Sequence, residues 1–83
     1  MSLEYYKKQM VDLRARLQKE KDAKKKDNEY YGRMVKFSST PSGKASYRKF
    51  KIDRAASHDR QIESIKRQIE TCKDNIARER KRK

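Results

Sequence analysis

The chain has 83 residues, 45% charged and 33% hydrophobic, with 25 Lys and Arg against 12 Asp and Glu and a formal charge of +13. That length holds one small domain at most. Two Gly, one Pro and no Trp argue against a turn-rich β-fold, and one Cys excludes an internal disulfide framework and a Cys-based zinc site.

Met1 to Glu20 contain no continuous apolar stretch, so no secretory signal peptide is expected. No run of 18 apolar residues follows that would span a membrane. From Ser2 to about Lys36 the chain has one Gly, Gly32, and no Pro, which predicts a helix over about residues 2–36. Phe37-Ser38-Ser39-Thr40-Pro41-Ser42-Gly43 has the composition of a loop, placed at about 37–43. Either Thr40 or Ser42 suits the cap of the next helix, with Pro41 in its first turn. A second helix is predicted over about 44–79, with a basic tail over 78–83.

Apolar spacing supports this reading. Leu3, Tyr6, Met10, Leu13 and Leu17 alternate at three and four residues, and so do Ile62, Ile65, Ile69, Cys72 and Ile76. These are the a and d positions of a heptad seam. Extended toward the loop, the first register runs through Glu20, Lys24, Asp27, Tyr31 and Met34. The second runs back through His58, Ala55, Lys51 and Arg48, with Tyr47 and Phe50 beside it. Each helix therefore has an apolar outer end, a polar middle and an aromatic end next to the loop.

Folding the chain at Pro41 matches the two patterns end to end. Leu3 and Tyr6 face Ile76, Met10 faces Cys72, Leu13 faces Ile69 and Leu17 faces Ile65. Near the loop, Tyr31 and Met34 meet Phe50 and Tyr47. The expected fold is all-α: one two-helix antiparallel hairpin, coiled-coil-like, with arms of roughly 50 Å at ~1.5 Å per residue. Eight of the twelve acids stand four residues before a base, for example Glu4–Lys8 and Asp12–Arg16, in the orientation that favours helical ion pairs. One narrow seam is a small core, and Leu3, Tyr5, Val11, Tyr30, Val35 and Ile52 lie on or beside it. A partner, either a second copy or another helical protein, is expected to complete a bundle.

No nucleophile motif, phosphate loop or metal-ligand spacing is present, so no enzyme activity, cofactor, metal or small-molecule substrate is expected. His58, the only histidine, falls on the seam opposite Lys24, and the register forces no acid–base partner on it. Glu20, Lys24, Asp27 and His58 together read either as a polar layer that fixes register or as a loosely packed, solvated middle. Cys72 reads as a small buried hydrophobe. Lys24, Lys25 and Lys26, with Arg78, Arg80, Lys81, Arg82 and Lys83, are candidates for contact with nucleic acid or an acidic protein. No helix-turn-helix, zinc-finger or RNA-binding signature accompanies them, and the loop breaks the continuous helix that a basic leucine zipper needs.

The opening Met1-Ser2-Leu3-Glu4-Tyr5-Tyr6-Lys7-Lys8 resembles the start of small helical proteins encoded beside LXG-domain toxins in Gram-positive bacteria. Ala45 to Lys83, with Ser57-His58-Asp59, Ile62-Glu63-Ser64-Ile65 and an Arg-rich end, resembles their C-terminal half. Those proteins are similar in build to the WXG100 family, helical hairpins that bind the helical N-terminal domain of a type VII secretion substrate and help target it. This chain has Pro41-Ser42-Gly43 where that family has Trp-x-Gly. It has no Tyr-x-x-x-Asp/Glu export motif, and Arg54 follows Phe50 four residues on. The resemblance thus implies a co-folding chaperone or adaptor for a helical partner, not a carrier of its own export signal. It implies a cytoplasmic protein, or one exported with its partner by a signal-peptide-independent route. The competing expectation is a small basic nucleic-acid-binding protein that dimerises through the same seam.

Overall fold

The computed structural model describes residues 3–82; Met1, Ser2 and Lys83 lie outside them. Two helices account for almost all of this span: α1, Leu3–Phe37, and α2, Pro41–Lys81. They pack side by side as an antiparallel hairpin measuring 65 × 14 × 12 Å. No helix among the described residues is long and apolar enough to cross a membrane.

The connection is shorter than its composition predicts, three residues instead of seven, because much of the Ser/Thr/Pro/Gly stretch starts α2. Thr40 is the cap, with extended φ −117° and ψ 145°, and its Oγ1 accepts the Gly43 N–H at 3.0 Å. Pro41 follows at the first helical position, where no N–H is needed and its fixed φ suits the helix. On the other side, the Ser38 N–H still bonds to the Met34 carbonyl at 3.0 Å, so Phe37 remains helical. Space favours Gly at position 43. A β-carbon there would collide with the Ser38 hydroxyl and lie 2.9 Å from Thr40 Oγ1.

The far end of α2 also exceeds expectation. It is helical through Lys81, and the Arg82 N–H bonds to the Arg78 carbonyl at 3.2 Å. Arg78, Arg80 and Lys81 occupy its last turn, where the helix dipole favours cations. Most of the predicted tail is therefore the basic end of a helix.

The seam is dry at the end away from the loop. Met10, Leu13, Ile69 and Cys72 form the buried cluster, with Tyr6, Leu17, Ile65 and Ile76 packed against it. Cys72 is the most enclosed at 2% exposure, and its Sγ donates to the Tyr6 carbonyl at 3.1 Å. Ile62 is buried nearer the middle. Together with Leu3, which is half-buried, this is the register expected from spacing.

The surface ion pairs depart from expectation. Of the eight acid–base pairs four residues apart, none between described residues closes to bonding distance. The intrahelical pairs that do form are three apart, Glu70–Lys73 and Glu79–Arg82, both at 3.5 Å. Long exposed side chains lose conformational freedom when they pair in water and gain little from it. Glu79–Lys83 ends on a residue outside the described span.

Candidate functional site

The polar middle is a bonded layer, not a solvated gap. Two turns of α1 bring Glu20, Lys24 and Asp27 to the seam, and α2 places His58 and Asp59 against them. His58 Nδ1 lies 2.5 Å from Glu20 Oε1, and Nε2 lies 2.5 Å from Asp27 Oδ2. The ring bridges two carboxylates that stand one heptad apart on the opposite helix. An imidazolium donates from both nitrogens, whereas a neutral ring can donate only once. The hydrogen bond to Asp27, then that to Glu20, accordingly raises the His58 pKa above its ordinary value, while burial opposes the shift.

Beside it, Lys24 Nζ donates to Asp59 Oδ1 at 2.6 Å, linking α1 to α2 a second time. This pair is more open to solvent, with Asp59 57% exposed against 15% for the His58 side chain. Two charge-assisted links therefore cross the hairpin within a few turns. Both His58 nitrogens are already engaged on opposite sides of the ring. Among the described residues, no group of three His, Cys, Asp or Glu side chains is placed to hold a metal ion.

Next to the loop the seam becomes aromatic and opens to solvent. Tyr31 contacts Phe50 across the helices at 6.2 Å between ring centroids, and Phe50 contacts Tyr47 at 6.4 Å. Tyr30 meets Tyr31 edge-on at 5.0 Å. Phe50, expected beside the register and counted with the seam and partner residues, is 50% exposed, because its position sits at the seam's shoulder. Tyr31, Met34 and Tyr47 are half-buried. Arg54 lies on the same shoulder, and its pKa is raised by its interaction with the Tyr31 hydroxyl and by the charge of Asp27.

The basic residues do not form one surface. Lys24 turns inward to Asp59, whereas Lys25 and Lys26 point to solvent. Arg78, Arg80, Lys81 and Arg82 are exposed at the opposite end of α2 from the loop. Opposite Lys25, α2 has reached only the neighbourhood of His58, about 30 Å along the rod from that end. Lys83 lies outside the described residues.

Spacing alone identifies Glu20, Lys24, Asp27 and His58 as a layer but misses its wiring. Asp59 and Arg54 carry no periodic signal, because both stand one step off the seam. The heptad interval between Glu20 and Asp27, centred opposite His58, is the readable trace of the clamp.

The seam residues proper are consumed by the hairpin itself. Among the described residues, the large apolar side chains still facing water are Tyr5, Val11, Tyr30, Phe37, Phe50 and Ile52, each about half exposed or more. Compared with protein-family models, curated proteins and solved structures, the chain matches none.

Proposed function

We propose that this chain is a non-catalytic helical adaptor whose hairpin lays a flank against the helices of a protein partner. One observation carries the reading. Among the described residues the hairpin buries five hydrophobic side chains, yet it leaves six large ones at about half exposure or more on a rod 12–14 Å thick. Apolar side chains grouped beside a seam are where a further helix packs. The sequence resemblance to LXG-associated proteins supports a type VII secretion toxin or substrate as that partner, with the adaptor acting as its chaperone or targeting subunit. Lys and Arg on the flanks would speed encounter and set orientation.

Light scattering and calorimetry at micromolar concentration test the reading, on the isolated chain and on the chain co-expressed with a helical N-terminal domain encoded beside it. A stoichiometric complex that melts at higher temperature than the chain alone is expected. A monomer that melts sharply alone and forms no complex would refute it.

A second reading, a small nucleic-acid-binding protein, draws on the +13 charge and on half-exposed rings beside arginines. Its signature is duplex affinity that persists at physiological salt and falls with a slope of about −0.9 per phosphate neutralised.

A further inference from the structure

The exposed aromatic residues are unevenly placed. Tyr30, Phe37 and Phe50, three of the six large exposed apolar side chains among the described residues, flank the loop end of the hairpin. Tyr30, Tyr31, Phe50 and Tyr47 form an unbroken chain of ring contacts of 5.0 to 6.4 Å that crosses from α1 to α2. On α1, Ala23, Tyr30 and Phe37 recur every seven residues, one step before the seam positions Lys24 and Tyr31. That interval marks a straight stripe alongside the seam, the track followed by a third helix in a bundle. Ile52 stands on the other side of the seam and does not belong to it.

The chain's own charge decides what fits this track. Between Glu29 and Arg54 the sequence carries seven Lys and Arg residues against two acids, Glu29 and Asp53; Arg48 and Lys51 lie with Ile52 across the seam, whereas Lys36 and Arg54 lie at the rings. Lys36 Nζ sits 5.9 Å from the Phe37 ring centre, and the exposed Arg54 lies near Tyr31. A second copy would bring the same excess of cations against itself. The rings contact each other edge-on or tilted, at 44° to 80°. Successive bases would need open parallel faces instead. An apolar track with a cationic rim matches a helix with an apolar seam and acidic flanks.

We infer that the loop-end flank built by Tyr30, Phe37, Tyr47 and Phe50, with Arg54 at its rim, docks an acidic amphipathic helix of a partner protein. The inference rests on the adaptor reading and gives it a location and a partner chemistry. The partner helix lies along α1 for about two to three heptads, its apolar residues against the rings and its carboxylates against the Lys and Arg of the rim.

The probe is a fluorescent 21-residue synthetic helix with Leu at a and d and Glu at e and g, followed by anisotropy near physiological salt. Two controls accompany it: the same peptide with Ser replacing Leu, and a single-stranded oligothymidylate. Saturable binding of the Leu peptide is expected, with the Ser peptide weaker by about tenfold or more. Tyr30→Gln with Phe50→Gln should also lose about tenfold, the scale of removing two ring anchors, while Val11→Gln leaves binding unchanged. Circular dichroism of each variant confirms that the helices persist. If the double variant unfolds, Phe37→Gln, at the 74% exposed end of α1, replaces it with a smaller expected loss.

Equal binding of Leu and Ser peptides would reduce the surface to a polycation and overturn the inference. So would displacement of the Leu peptide by oligothymidylate, or binding equally sensitive to Val11→Gln. A complex with the co-expressed domain that survives the ring substitutions would leave the adaptor reading intact and remove this location for it.

Discussion

The outer end and the middle of the hairpin share one heptad frame and use it in opposite ways. At the outer end, Met10, Leu13, Ile69 and Cys72 exclude water and hold the helices together by contact area. In the middle, Glu20, Asp27 and His58 spend the same seam positions on directional bonds, beside the Lys24–Asp59 pair. Aliphatic packing stabilises but discriminates weakly, because a helix slid by a heptad still meets aliphatic side chains. A bridged imidazole has one arrangement: a slip of a turn leaves His58 without one carboxylate and leaves that carboxylate unpaired. The outer end thus supplies most of the stability and the middle selects the register.

The largest expected break of this contrast is Leu13→Ala. Leu13 is 4% exposed, and truncation should cost about 2–4 kcal/mol by urea denaturation, a large share of what so small a core supplies. A loss below about 1 kcal/mol would mean that the outer end is not the main source of stability.

The middle should respond to pH, which the aliphatic end cannot do. The folded-state pKa of His58 is raised, so its bridge contributes fully below the unfolded value near 6.5 and is lost as pH rises through the folded value. Charged Glu20, Asp27, Lys24, Asp59 and Arg54 surround it. The native chain should therefore be more stable at pH 6 than at pH 9 by on the order of 1 kcal/mol, a figure kept low because solvent reaches both carboxylates. The difference should shrink in His58→Gln, measured by the same denaturation. An unchanged pH dependence in that variant would remove His58 as its source.

Register is a separate readout of the same layer. With Glu20, Asp27 and His58 all replaced by Leu, the hairpin should be at least as stable, yet spin-label distances between α1 and α2 should broaden. A single sharp distance in that variant would show that the aliphatic end sets register alone.

Two glycines give the smallest effects, with opposite signs. Gly43→Ala forces the Ser38 and Thr40 hydroxyls aside and should cost about 1 kcal/mol, the scale of a lost cap. Gly32→Ala meets only Lys51 Nζ at 3.8 Å, ordinary contact, and should stabilise α1 by about 0.5–1 kcal/mol. Thermal melts of the two variants read both.

The sequence by itself determined that the chain is two helices folded back at Pro41, because the three-four apolar alternation and the Pro-Ser-Gly break are local signals. It determined the register to within a turn, because only one alignment sets aliphatic against aliphatic and aromatic against aromatic. The tertiary structure decided what packing geometry alone can set. Thr40 caps α2 instead of Ser42, because its hydroxyl reaches the Gly43 N–H. His58 bridges two carboxylates, because a heptad of α1 spans one imidazole. Phe50 turns half its ring to water, because it stands on the shoulder of the seam and not within it. The +13 charge was legible from composition; its division into an inward Lys24, a helix terminus at Arg78–Lys81 and a rim around exposed rings was not, because charge carries no periodicity until the helices are placed.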